Sequence, residues 1–194
     1  MSSFVPPPRG EPRLVLPHER VRRSFLAAMA EFVEEGREGD DSMIGSDIAQ
    51  HGATWSTPAG FSAYVDAVLA ERVTPRQEGF VTSTTWWWCE DPDGPEPENL
   101  GRICVRHVLT QRLREMGGHV GYDVRRSRRR EGHATAMLAA VLPHARALGV
   151  DPALVTCDVD NVASRRVIGS AGGVLEDQRG AKLRFWVPTG PPRA

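Results

Sequence analysis

Apolar residues recur along this chain with two periods, and the order in which the periods follow one another predicts an α/β protein. In residues 119–124, HVGYDV, valine and tyrosine alternate with other positions, as in a strand with one buried face. From Gly132 the spacing changes: Ala134, Met137, Leu138, Val141, Leu142, Ala145 and Leu148 recur at steps of three and four, the apolar stripe of a helix. Pro143 falls roughly opposite that stripe, which turns its missing hydrogen bond toward solvent, and Gly149 supplies a stop. Upstream, residues 14–16 suit a short first strand. Residues 19–35 carry a helical pattern in Val21, Phe25, Leu26, Met29, Phe32 and Val33, and residues 61–69 carry another in Tyr64, Val65, Val68 and Leu69. Two β-rich runs, 80–89 and 101–109, are joined by EDPDGPEPEN, whose prolines and glycine suit a hairpin. Trp86 and Trp88 should point to one side of the first run and Trp87 to the other, with at least one side packed as core. A short helix is expected over 110–116.

Residues 36–60 show little periodicity and predict a long connection, a kind of segment that is usually functional or disordered within a compact domain. Its Glu38, Asp40, Asp41 and Asp47 suit a solvated acidic loop better than a lid that attracts a cationic amine.

The chemistry gathers at the start of the helix that follows Gly132. The first backbone N–H groups of a helix have no intrahelical partner and carry the positive end of the macrodipole, so such an end binds phosphate. Gly132 removes a Cβ where an anion must approach, Ala134 keeps the next turn small, and Arg129 and Arg130 add charge. By itself this pattern fits a basic surface turn equally well. A second stretch, LVTCDVDNVASRRVIGSAGGVLED over 154–177, adds a strand that ends in Asn161 and is followed by a helix.

Together the two stretches resemble the GNAT superfamily of acyl-CoA-dependent N-acyltransferases. Arg129, Gly132 and Ala134 fit its Q/R-x-x-G-x-G/A pyrophosphate loop, with Val124 at the end of the preceding strand; Asn161, Ser164 and Arg165 fit its second element. The likeness covers about residues 80–187 well, and finer features such as ICVRH, GGHVGYD and RFW resemble a bacterial subgroup of acetyltransferases without an assigned substrate. The resemblance implies a mixed central sheet with antiparallel N-terminal strands, a splayed parallel pair at a cofactor cleft and helices on both faces, in one domain over residues 13–187 between tails at 1–12 and 188–194. It implies acetyl-CoA as co-substrate, with the backbone of Tyr122 and Val124 pairing with pantetheine, residues Arg129, Arg130, Gly132, His133, Ala134 and Thr135 cradling pyrophosphate, and Asn161, Ser164 and Arg165 on the far side of the arm. The implied reaction is direct attack by a primary amine of a small molecule or peptide. A protein N-terminal or ribosomal-protein acetyltransferase and a noncatalytic acyl-CoA sensor are the alternatives, and a homodimer is left open.

Catalytic groups are less well marked. Asp158 and Asp160 are near the implied cleft and equally suit surface roles, His119 titrates in a useful range, and Arg106 and His107 are candidates for substrate contact. Cys157 suits a small apolar residue better than an acyl carrier. Many family members carry a tyrosine seven residues after the asparagine, to protonate the departing thiolate, but that position here is Ile168. Tyr122 is the nearest substitute. The favoured expectation is departure without a dedicated acid, because a thiol with a pKa of about 8.5 is a tolerable leaving group.

Composition narrows the class further. The 194 residues suit one domain, and a net charge of −1 argues against a dedicated polyanion binder. All but one of the 24 basic residues are arginine, Lys182 being the exception. The run of arginines from Arg125 to Arg130 has no aromatic stacking platform beside it, so no specific nucleic acid is expected. Three widely spaced cysteines suggest neither a disulfide framework nor a metal site and fit a reducing cytoplasm. No apolar run approaches membrane length.

Overall fold

A computed structural model of the protein describes residues 10–190. Its strands are β1 (Arg13–Val15), β2 (Ser83–Glu90), β3 (Glu98–Arg106), β4 (Val120–Val124), β5 (Ala153–Asp158), β6 (Val174–Arg179) and β7 (Lys182–Val187). They form one seven-stranded sheet in the order β1, β2, β3, β4, β5, β7, β6. Every neighbouring pair is antiparallel except β4 and β5. The α-helices are α1 (Arg22–Glu34), α2 (Met43–His51), α3 (Pro58–Ala70), α4 (His133–Ala147) and α5 (Val162–Ser170). The chain thus has the mixed sheet, single parallel pair and flanking helices that the resemblance implies.

Strand alternation sorts the core into two layers. Trp86 and Trp88 pack with Ile103, Val105, Met137, Leu138 and Val141 under α4. Trp87, on the opposite side, packs with Phe25, Phe32, Ile44, Phe61 and Val65 under α1, α2 and α3. All three indoles are core, so none is left to cover a substrate. Pro143 is exposed and α4 runs through it. Past the helix, Gly149 turns left-handed (φ 83°), its N–H bonds Arg146 O, and the Val150 N–H bonds Ala145 O, which closes a Schellman cap.

Three expectations change. Residues 36–60 are not a structureless connection. Ser42 caps α2 by accepting from the Gly45 N–H, and Ile44 and Ile48, one turn apart, are buried. Asp47 lies on the same buried face, so it is no solvated loop acid. The expected tails lie mainly outside the described residues, but the C-terminal one begins later than residue 188: Thr189 is buried, and its hydroxyl donates to Val150 O at 2.9 Å. The short helix expected after β3 is a wider, π-type turn at Leu113–Gly117.

The β4–β5 junction is held at one end by His119. Its N–H donates to Leu154 O at 2.7 Å, and its Nδ1 accepts from the Leu154 N–H at 2.9 Å. A ring nitrogen that accepts must be unprotonated. Burial, reinforced by Arg114 and Arg106, pushes His119 down to about 4. His119 is therefore a neutral strap between strands and a poor general base.

A sign follows for stability. The unfolded histidine titrates near 6.5, so the strap is fully present above that pH and is lost as pH falls toward about 4, where the unfolded chain binds the extra proton. Urea midpoints should drop through this window in the parent protein. In His119→Gln, whose amide oxygen can accept the same bond but does not titrate, the drop should be shallower by up to about one proton. Equal slopes for the two proteins would exclude the strap.

Candidate active site

The cleft is a consequence of backbone direction in β4. The His119 carbonyl accepts from the Arg106 N–H and the Arg125 N–H donates to Leu100 O, so within β4 the odd-numbered positions face β3, the His119 N–H ahead of the strand being the one that turns to Leu154 O. Alternate residues face the opposite neighbour. The main chain of Val120, Tyr122 and Val124 therefore faces β5, but the register pairs only Val120, with Val155. Beyond that pair the strands part, and the edges of Tyr122 and Val124 border the gap.

The gap leads to the turn before α4. Arg130 (φ 66°) and Gly132 (φ 86°) are both left-handed, and the latter caps α4 without a side-chain bond. The first bond into the helix runs from the Ala136 N–H to Gly132 O, so the N–H groups of His133, Ala134 and Thr135 have no intrahelical acceptor. No atom lies within 4 Å of where a Cβ on Gly132 would stand. These features fit an anion at the helix start.

Most of the arginine run is spoken for. Arg125 pairs with Glu31, Arg126 with Glu34, Arg128 with Glu90, Glu98 and Glu131, and Arg129 with Glu35. Arg129 Nε also donates to Val124 O at 2.9 Å. Its side chain thus braces the turn against α1. Arg130 alone in the run makes no ion pair among the described residues. The His133 ring is also engaged, accepting from Trp88 Nε1 at 3.3 Å with Glu131 on its other nitrogen.

Across the gap, Asn161 is exposed and caps α5, its Oδ1 accepting from the Ser164 N–H at 2.9 Å. Arg165 is exposed. The Tyr122 hydroxyl is buried without a hydrogen-bond partner, and burial pushes it up to about 12, with Ser164 close enough to pull the other way but not to complete a bond. Cys157 is buried and its thiol is raised, chiefly by that burial, as suits a small apolar residue. Asp158, a candidate base, pairs with Lys182 Nζ at 2.7 Å. Ile168 is fully buried.

On the sheet face covered by α2 and α3 lies a cavity of about 400 Å³ that sequence reasoning missed. Its floor is a buried charge network. Asp47 accepts from Arg76 Nη1 at 2.6 Å, from Tyr64 Oη at 2.9 Å, and from Arg102 Nη1. Burial alone would raise the Asp47 carboxyl, but Arg102 and Arg76 outweigh it and hold it below its usual value. Glu71 completes the set by pairing with Arg76 at 2.6 Å. The cavity reaches the cleft at Gly121: a Cβ there would meet Met43 Cε at 2.9 Å and Arg106 Nη1 at 3.9 Å, and both of those side chains line the cavity. The alternation in RICVR, which sets Arg102, Cys104 and Arg106 on one face, was the available signal.

A family model described as an acetyltransferase (GNAT) domain matches residues 41–174. No curated protein matches the chain in sequence. Among solved structures, the ribosomal-protein-S5-alanine acetyltransferase of Vibrio fischeri is similar with a TM-score of 0.64 at 11% identity, covering 95% of this chain and 96% of that one. Mycobacterium smegmatis RimJ in complex with CoA-disulfide gives 0.58 at 18% identity, covering 93% and 86%. The microcin C7 self-immunity acetyltransferase MccE, in complex with acetyl-CoA and AMP, gives 0.59 at 10% identity, covering 92% of each. At such identities the likeness is one of fold.

The cavity floor can be tested without any ligand. Asp47→Ala leaves the Arg102 guanidinium buried without its carboxylate, so it should destabilise the protein by roughly 3–5 kcal/mol in urea unfolding. Replacing both partners, Asp47→Leu with Arg102→Met, should cost clearly less. A loss below about 1 kcal/mol in the single variant would place the network in solvent rather than in the core.

Proposed function

Because this chain belongs to the GNAT acetyltransferase family, we propose that it transfers the acetyl group of acetyl-CoA directly to a primary amine of a small molecule. The observation that carries this reading is the open edge of β4, which runs past Val120 into the uncapped start of α4. Pantetheine would pair with the backbone of Tyr122 and Val124 as an added strand. Pyrophosphate would sit against the N–H groups of His133, Ala134 and Thr135, beside Gly132, with Arg130 supplying charge and Arg129 holding the turn. The Asn161 amide would meet the other side of the arm, close to Ser164 and Arg165.

The amine would come from the cavity beside Gly121. A C–N bond forms at the acetyl carbonyl, the C–S bond breaks with its electron pair on sulfur, and the proton of the nitrogen passes to water. The chain's contribution is mainly positioning. A cavity of about 400 Å³ is of small-molecule size, which favours such an acceptor over a protein N-terminus. An amine-library screen that follows thiol release and product mass separates the three readings: a small amine, a peptide N-terminus, or no turnover at all, as for an acyl-CoA sensor.

Acetyl-CoA should bind with micromolar affinity in calorimetry. Gly132→Val should weaken that binding by at least about tenfold. The β-branched side chain fills the phosphate approach, and its left-handed backbone adds about 1–2 kcal/mol of strain, too little to unfold the protein. A folded variant with unchanged affinity would remove this turn from the binding site.

Departure of the thiolate needs no dedicated acid. With Tyr122 near 12 and a thiol near 8.5, full proton transfer from phenol to sulfur is uphill by about three units. Tyr122→Phe should therefore keep kcat within about tenfold, whereas general acid catalysis contributes about 10² to 10⁴-fold. A loss of a thousandfold or more, with acetyl-CoA affinity intact, would make Tyr122 the acid.

A further inference from the structure

We infer that the acceptor is a small primary amine carrying a carboxylate close to the reacting nitrogen, an apolar amino acid being the simplest case, and that Arg106 recognises the carboxylate. This rests on the acetyl-transfer reading and adds the class of amine.

The cations that line the cavity are not all paired. Arg76 and Arg102 are held by Glu71 and Asp47, with Asp123 a further acid beside Arg102, and Lys182 is held by Asp158. That leaves Arg106 and Arg112 among the lining cations, against Asp41, which is exposed. None of these three forms an ion pair among the described residues. Arg102 adds an unmet donor: its Nε is buried without a hydrogen-bond partner, and the nearest carboxylate oxygen, Asp123 Oδ2, is 4.0 Å away.

Arg106 is held in place without being neutralised. Its Nη1 donates to the carbonyls of Gly117 and Gly118, each at 3.1 Å, which fixes the guanidinium plane and leaves its other nitrogens without an acceptor among the described residues. A guanidinium fork presented in this way matches the two oxygens of a carboxylate.

Position then limits the size of the amine. Arg106 stands beside Gly121, between the last paired residue of β4 and the first open one. A carboxylate on Arg106 is therefore close to where the amine must attack, which suits a nitrogen and a carboxylate separated by few bonds. The remaining walls include Val68, Leu113, Phe80 and Met116, the last two more than half exposed, and these offer an apolar surface to a side chain. A neighbouring cation also disfavours the ammonium form, so Arg106 would help deliver the amine as free base in a cleft where Asp158 is tied up. A peptide N-terminus has an amide in place of the carboxylate and leaves this site unfilled.

The test compares leucine, methionine and phenylalanine with their amides, with dipeptides that begin with them, and with the matching aminophosphonates, by thiol release and product mass. Calorimetry with acetyl-CoA on the same protein runs alongside. The free amino acids should exceed the amides in kcat/KM by about tenfold to a hundredfold, the effect of a charge-assisted bond. This ratio should fall to within about threefold in Arg106→Gln, chiefly through KM, and should largely survive in Arg106→Lys. Amides or dipeptides acetylated as well as the acids would overturn the inference, as would preferred phosphonates or a ratio indifferent to Arg106. Acetyl-CoA binding with no acetylation of any carboxylate-bearing amine would also overturn it while leaving the cofactor reading intact. Absence of acetyl-CoA binding would bring down both.

Discussion

Two parallel strands that remain in one sheet yet separate partway along their length are the constraint on which this molecule turns. A backbone group facing a neighbouring strand must find a partner, and in β4 only the first such residue finds one in β5. His119 closes the seam below that point through both its main chain and its ring. Above it, Tyr122 and Val124 have no partner in β5, and of their main-chain groups the Val124 carbonyl is already met by Arg129. The helices on either face keep the sheet from relaxing: α4 and α5 pack on one side, and α1, α2 and α3 on the other. The opening is thus maintained by the core around it.

The same economy governs the charges. A turn with five arginines might suggest a polyanion surface, but its acids come from far away in sequence, in α1 and in the hairpin of β2 and β3. Those pairs fasten the turn between β4 and α4 to the N-terminal half of the chain. The two halves meet again at the cavity floor, where Asp47 of α2 holds Arg102 of β3. The cavity and the turn before α4 are joined to the N-terminal helices by ion pairs as well as by apolar contact.

How much of this was legible follows from how local each signal is. The stripe of α4, the opposed tryptophans and the glycine at the helix start are written in spacings of two to four residues, and each is where the pattern implied; Asn161, expected to end a strand, lies past the end of β5 at Asp158 and caps α5 instead. Helix α2 was missed because nine residues with a glycine among them and few apolar positions give a weak period, although Ser42 ahead of Ile44 and Ile48 is a capped amphipathic turn in retrospect. The partners of Arg125, Arg129 and Asp47 could not be anticipated, since the groups they meet are 94, 94 and 55 residues distant. The partner of Asp158 was hidden for the same reason: nothing near it in sequence announces Lys182.

One outcome of the arginine clamp concerns ionic strength. A loop that greeted phosphate with five unpaired guanidiniums would lose affinity steeply as salt rises, because each contact releases counterions or is screened. Here four of those charges are already cancelled by acids of the same chain, and the attraction left to the turn comes from helix N–H groups at van der Waals range and from Arg130. Such a turn would hold a bound anion by shape and short-range dipoles, and its affinity would change little between dilute buffer and physiological salt. It is also a poor long-range lure, and free polyphosphates or nucleic acid passing nearby would find little field to draw them in.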